Sequence, residues 1–258
     1  MLSPEATQLL AYSMLAAVGL LPLIMIVIAW KRTGYTLPQF LLFQLNRGLT
    51  QFLWNLRIRG RITIPSGQGA VLVCNHRAGV DPAFIVPATR RMTYWMVARE
   101  YVEFPPIAWF FRIMEVIPVN RGGVDTKSTK SAIRLASGGG IVGMFIEGRI
   151  NQTNRLLLPG RPGAAMVALK AKVPVVPCYI AGSPYGGTYY SSFGIRAQVR
   201  VKIGQPLDLS PYYGQDGDKE VLENLTLQFL REIAQLAGQK DYPVEIAGRT
   251  WKVQSREV

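Results

Sequence analysis

His76 is the only histidine in this 258-residue chain, and Asp81 follows it by five positions. An imidazole can take a proton near neutral pH, and a carboxylate beside it can fix its tautomer and orientation. On an ideal helix five steps would set these side chains about 140° apart. One helix face therefore cannot hold the pair, but a loop through Gly79 can fold them together. Such a pair is the base and orienter of a triad without a protein nucleophile. Asp81-Pro82 also reads as a helix start, with Asp as N-cap and Pro in the first turn. The two readings are compatible, since a carboxylate fixed at a helix start is a well-held orienter.

Cys74 offers a rival chemistry. In a strand it lies on the same face as His76, and a Cys-His pair can form an acyl-enzyme. Its apolar surroundings instead favour a buried, inert thiol. With two cysteines and one histidine there is no obvious metal site and no disulfide framework.

The elements that must hold these residues follow from the apolar pattern. His76 comes directly after the apolar run Ala70–Cys74, the kind of strand exit at which open parallel sheets collect functional groups. Further short runs read as strands: Arg61–Ile64, Thr93–Ala98, Val116–Val119, Ile141–Ile146, Pro174–Ile180 and Ala197–Ile203. Helical patterns lie between them, over Asp125–Ser137, Gly163–Lys170 and Asp218–Ala237. In the last, Leu222, Leu225, Phe229, Ile233 and Leu236 form one stripe, with Gly238 as its stop. The alternation predicts an α/β fold: a layered, mostly parallel sheet flanked by helices. Lys127, Lys130 and Arg134 share a helix face, which reads as solvated or as a surface for an acidic partner.

The N-terminus differs in kind. No charged residue occurs from Ala6 to Trp30, a stretch that as a helix would run about 37 Å, enough to cross a bilayer. Lys31 and Arg32 follow at once, which by the positive-inside rule sets the rest of the chain on the cytoplasmic side. A cleaved signal fits poorly, because no basic residue precedes the stretch and it is long for a signal core. Leu37–Leu56 mixes large apolar residues with Gln and Asn; it reads as an interfacial amphipathic helix or as a helix packed on the domain. The expected division is a membrane anchor and interfacial helix over 1–60, a catalytic domain over 61–238, and a tail over 239–258.

The charge balance, 29 Lys and Arg against 16 Asp and Glu, calls for an acidic partner. With 49% apolar residues and no nucleic-acid motif, lipid headgroups fit better than nucleic acid. Arg57, Arg59 and Arg61 make a basic edge suited to anionic headgroups.

Asn75-His76 with Asp81-Pro82, in a basic chain with an apolar anchor, resembles the glycerolipid acyltransferase family, of which the 1-acylglycerol-3-phosphate acyltransferases are members. The family's remaining blocks are present in order. Val116-Ile117-Pro118-Val119-Asn120-Arg121 matches the second, Phe145-Ile146-Glu147-Gly148-Arg149 the third, and Val173-Pro174-Val175-Val176-Pro177 the fourth. Glu115 stands where members usually have Gly early in the second block, and the third lacks the family's Pro and Thr.

The resemblance implies that His76 is the base on an acceptor hydroxyl and that Asp81 orients it. It places Asn75, Arg121, Glu147, Gly148 and Arg149 on the substrate side, with Arg121 toward an acceptor phosphate. It implies an acyl-CoA or acyl carrier protein donor, a lysophospholipid acceptor and a phospholipid membrane as partners, and no cofactor, because the thioester already carries the activation. Another lyso-lipid acceptor, such as a lyso-aminolipid, stands as an alternative, as does a non-catalytic lipid-binding protein with a degenerate version of the fold.

Overall fold

The computed structural model describes residues 3–31, 33–89, 91–120, 125–187 and 191–248. Its centre is a seven-stranded sheet in the order β1-β7-β6-β2-β5-β3-β4. The strands are β1 (Arg57–Arg59), β2 (Ala70–Cys74), β3 (Thr93–Ala98), β4 (Ile117–Val119), β5 (Ile141–Phe145), β6 (Val175–Ala181) and β7 (Arg200–Ile203). Neighbours are parallel except β6 and β7. This is the layered, mostly parallel sheet that the alternation predicts.

The central strand β2 is buried along its whole length, which is why it reads as an unbroken apolar run. Its side chains alternate between two cores. Val71 and Val73 pack with α6 (Thr126–Ser137), α7 (Gly163–Ala171) and α8 (Lys219–Ala237). Ala70, Leu72 and Cys74 pack on the other face with Trp54 of α2 (Leu37–Trp54) and with Phe84 and Ile85 of α3 (Asp81–Thr89). The stripe on α8 buries Leu225, Phe229 and Ile233, and Gly238 ends the helix in the left-handed conformation, as its position predicts.

One expected strand is corrected. Arg61–Ile64 is not a strand; the edge strand is Arg57–Arg59, ahead of the expected domain boundary at 61. Its partner β7 recruits it through the backbone, beginning with the Arg57 N–H donated to the Val199 carbonyl at 2.9 Å. Gly60 then turns at φ +91°, where a Cβ would stand 2.5 Å from the Ile203 carbonyl oxygen. Two helices went unforeseen: α4 (Arg99–Val102) and α5 (Pro105–Ile113), which join β3 to β4.

At the N-terminus α1 (Pro4–Lys31) is long and apolar enough to cross a membrane by length and composition, and it exposes Leu9, Leu15, Leu21 and Ile26 among others. The amphipathic α2 packs one face on the domain through Phe40, Thr50 and Trp54, and Asn46 donates to the Ala83 carbonyl of α3 at 2.9 Å. Its opposite face exposes Leu37, Leu41, Leu45 and Phe52. Of the tail, residues 239–248 are described, and they pair with Gly160 through Glu245 and Ala247.

Candidate active site

The site forms where β2, β5 and β6 end side by side. Cys74 pairs in register with Phe145 of β5 and with Cys178 of β6, so the residues after each strand emerge as neighbours. Asn75 locks this arrangement. Its amide donates to the Ile180 carbonyl at 2.9 Å and accepts the Ile180 N–H at 2.8 Å, so the side chain is committed to the end of β6.

His76 leaves the sheet next. Its Nδ1 lies 2.9 Å from Oδ2 of Asp81, with the ring partly exposed and Asp81 fully buried. The same Oδ2 accepts the backbone N–H of Arg77 at 2.6 Å and of Ala78 at 2.9 Å. The carboxylate at the start of α3 thus turns back onto the preceding loop. A carboxylate acceptor at Nδ1 places the ring hydrogen there and leaves Nε2 to accept a proton. The ring is also held by its face: Phe145 stacks on it with centroids 3.7 Å apart at 5°, and Trp95 stacks behind Phe145 at 4.9 Å.

Glu147 braces the backbone on the other side. Its Oε1 accepts the His76 N–H at 3.0 Å and its Oε2 the Leu158 N–H at 3.1 Å. Burial pushes the Glu147 carboxyl up to about 8, against the pull of the His76 and Leu158 N–H groups and the Arg77 guanidinium. Gly148 turns at φ +67°, and a Cβ there would stand 2.9 Å from the stem of Arg161. The Asn151 N–H donates to the His76 carbonyl at 2.7 Å, and Arg77 donates to the Thr153 carbonyl at 2.8 Å. The loop after β5 is therefore tied to the loop after β2. Arg149 sits half-buried in it.

The structure so brings His76, Asp81, Asn75, Glu147, Gly148 and Arg149 to one end of three strands. Arg121 lies outside the described residues, just after β4, and β4 is the edge strand on the far side of β3. Cys74 is fully buried, and burial first, then its neighbour Cys178, pushes its thiol well above the usual range, so it is no nucleophile.

The acyltransferase family matches residues 55–181, a span that opens just before β1 and closes with β6. The chain belongs to that family. This acyltransferase is 25% identical over 187 residues to the 1-acyl-sn-glycerol-3-phosphate acyltransferase of Bacillus subtilis (strain 168), covering 72% of this chain and 90% of that one. It is 29% identical over 170 residues to the chloroplastic 1-acyl-sn-glycerol-3-phosphate acyltransferase BAT2 of Brassica napus, covering 62% of this chain and 46% of that one. The crystal structure of the 1-acyl-sn-glycerophosphate acyltransferase from Thermotoga maritima shares the fold, with TM-score 0.54 at 19% identity over 79% of this chain and 87% of that one.

Sequence reasoning missed two features of the acyltransferase site. One is the stacking role of Phe145, which a strand pattern shows only as an apolar residue. The other is Ser183, whose hydroxyl donates to Oδ1 of Asp81 at 2.6 Å. The available signal was its position just past the exit of a strand.

Proposed function

We propose that this acyltransferase moves a fatty acyl group from an acyl thioester, acyl-CoA or acyl carrier protein, to the hydroxyl of a lysophospholipid. The acceptor is 1-acylglycerol-3-phosphate and the product phosphatidate. The observation that carries the chemistry is the His76 Nδ1 to Asp81 Oδ2 contact of 2.9 Å, which directs Nε2 away from the carboxylate. The acceptor oxygen attacks the thioester carbonyl carbon as Nε2 takes its proton. The tetrahedral intermediate then expels the thiolate, the C–S bond breaks, and the imidazolium returns the proton to sulfur.

On the acceptor side, the guanidinium groups of Arg121 and Arg149 are suited to the phosphate. Gly148 lets the backbone approach the substrate, while Asn75 and Glu147 act through the loops they hold. The relatives named as 1-acylglycerol-3-phosphate acyltransferases support this acceptor.

The same reading makes the phospholipid membrane a partner. The apolar length of α1 suits a single bilayer crossing, and the outward Leu37, Leu41, Leu45 and Phe52 suit an α2 lying in the interface. The catalytic domain then occupies the cytoplasmic side, the side marked by Lys31 and Arg32.

The test is purified enzyme in detergent with palmitoyl-CoA or palmitoyl-acyl carrier protein and lysophosphatidate, following thiol release and diacyl product. His76→Ala is expected to lose roughly 10²- to 10⁴-fold in kcat, and Asp81→Asn to fall sharply as well. Wild-type turnover in His76→Ala would remove the base from the mechanism. Activity confined to acceptors without a phosphate would remove phosphatidate as the product.

A further inference from the structure

A buried carboxylate needs its lone pairs matched by donors. Asp81 is fully buried. Oδ2 has two backbone N–H groups and the His76 ring. Oδ1 receives the Ser183 hydroxyl at 2.6 Å, from 102 residues farther along the chain. Local chain geometry cannot make that bond; the pairing of β2 with β6 makes it.

Three features deliver Ser183 to this place. Asn75 ties the end of β2 to Ile180 near the end of β6, which fixes the spacing of the two exits. Gly182 then turns at φ +75°, and a Cβ there would stand 2.3 Å from the Gln198 carbonyl oxygen, so the turn requires glycine. Beyond Ser183, the buried Ser192 hydroxyl donates to the Pro184 carbonyl at 2.7 Å and holds the outgoing chain.

We propose that Ser183 is a positioning residue of the acyl-transfer site: its hydroxyl holds the Asp81 carboxylate so that Oδ2 stays on His76 Nδ1 and Nε2 stays on the acceptor. The inference rests on the base-and-orienter reading of His76 and Asp81. Without the hydroxyl, Oδ1 of the buried Asp81 loses a charge-assisted bond. The carboxylate then turns to share its donors between both oxygens, and its grip on the imidazole weakens.

The experiment is steady-state kinetics on the full-length enzyme as wild type, Ser183→Ala, Ser183→Thr, Asp81→Asn, the Ser183→Ala/Asp81→Asn double variant and His76→Ala. Ser183→Ala is expected to lower kcat roughly ten- to a hundredfold, with KM for both substrates within about twofold. Ser183→Thr, which keeps the donor, recovers most of the loss. Added to Asp81→Asn, Ser183→Ala costs nothing further, because it acts through that carboxylate. His76 is the only histidine, so ¹⁵N-histidine labelling gives one imidazole to watch, and its Nδ1 proton resonance moves in Ser183→Ala.

An unchanged kcat in Ser183→Ala, or losses that multiply with Asp81→Asn, would overturn the proposal while an inactive His76→Ala leaves the base in place. Wild-type turnover in His76→Ala would instead overturn the base-and-orienter reading and this inference with it. Should Ser183→Ala lose its fold, Ser183→Cys keeps the volume with a weak donor, and its kcat against Ser183→Thr decides by the same criteria.

Discussion

Glu147 and Asp81 stand on either side of His76, and their environments make opposite demands. Asp81 is met by the His76 ring, the N–H groups of Arg77 and Ala78 and the hydroxyl of Ser183, four partners on two oxygens. Glu147 has one N–H on each oxygen, too little to offset its burial, and its carboxyl rises to about 8 from 4.5. Between those values the folded protein holds a proton that the unfolded chain releases. The stability this contributes is full below about pH 4.5 and is lost as pH climbs through about 8. Thermal midpoints are therefore expected to fall between about pH 4.5 and 8. Glu147→Gln removes a titrating group and one of the two backbone bonds, so its midpoint is lower near pH 6 but its pH dependence is flatter. Equal slopes in wild type and Glu147→Gln would show that Glu147 does not carry the dependence. Asp81 and Glu147 were both legible in the sequence, one as a partner for the sole histidine and one as a carboxylate after an apolar strand. Ser183 was not, because its bond depends on a sheet neighbour that no local spacing encodes.

At the scale of elements, the site is a stack as well as a set of hydrogen bonds. Gly143 of β5 stands opposite Trp95 of β3, and a Cβ on Gly143 would lie 2.5 Å from the indole. Trp95 backs Phe145, and Phe145 backs the His76 ring. The missing side chain in one strand thus sets where a ring two residues on can support the His76 imidazole. Gly143→Ala is expected to cost about 1–3 kcal/mol through overpacking, and to lower kcat as the stack shifts. Denaturant unfolding beside kinetics checks it; a stable variant with wild-type kcat would show that the stack does not position His76. The same scale shows where sequence patterns reach. Strands buried on both faces, such as β2, announce themselves as apolar runs, and α8 shows its stripe and stop. The three-residue β1 carries Arg-Ile-Arg and has no such signature, because it is held through its backbone to β7. Helix α5 escaped for the opposite reason: its apolar residues do not enter the core.

For the whole molecule, the proposed acceptor raises the question of how a site at one end of the sheet meets a substrate held in lipid. A net charge of +13 favours the anionic surface of the proposed membrane partner, an attraction that salt screens. Apolar exposure marks the faces suited to lipid. Leu37, Leu41, Leu45 and Phe52 line the outer face of α2, and α5 exposes Trp109 and Phe110. The start of α2 is bound to the end of α5, since Gln39 donates to the Ile113 carbonyl at 2.9 Å and to Glu115 at 3.1 Å. The inner face of α2 is meanwhile fixed on α3 beside the catalytic loop through Asn46 and the Trp54–Phe84 contact. On the proposed interfacial placement, a helix held this way would carry its contact with lipid to the height of the site. On the proposed interfacial placement of α2, Leu41→Glu/Leu45→Glu sets two carboxylates against the acyl region. Turnover of lysophosphatidate embedded in anionic vesicles is expected to fall by about tenfold or more, since each exposed leucine withdrawn from an apolar environment forfeits on the order of 1 kcal/mol or more. With substrate dispersed in detergent the same variant should turn over at the wild-type rate, because neither leucine touches the site. An equal loss in vesicles and detergent would mean that the substitutions damage the domain itself, and that α2 serves packing on the domain rather than the approach to lipid.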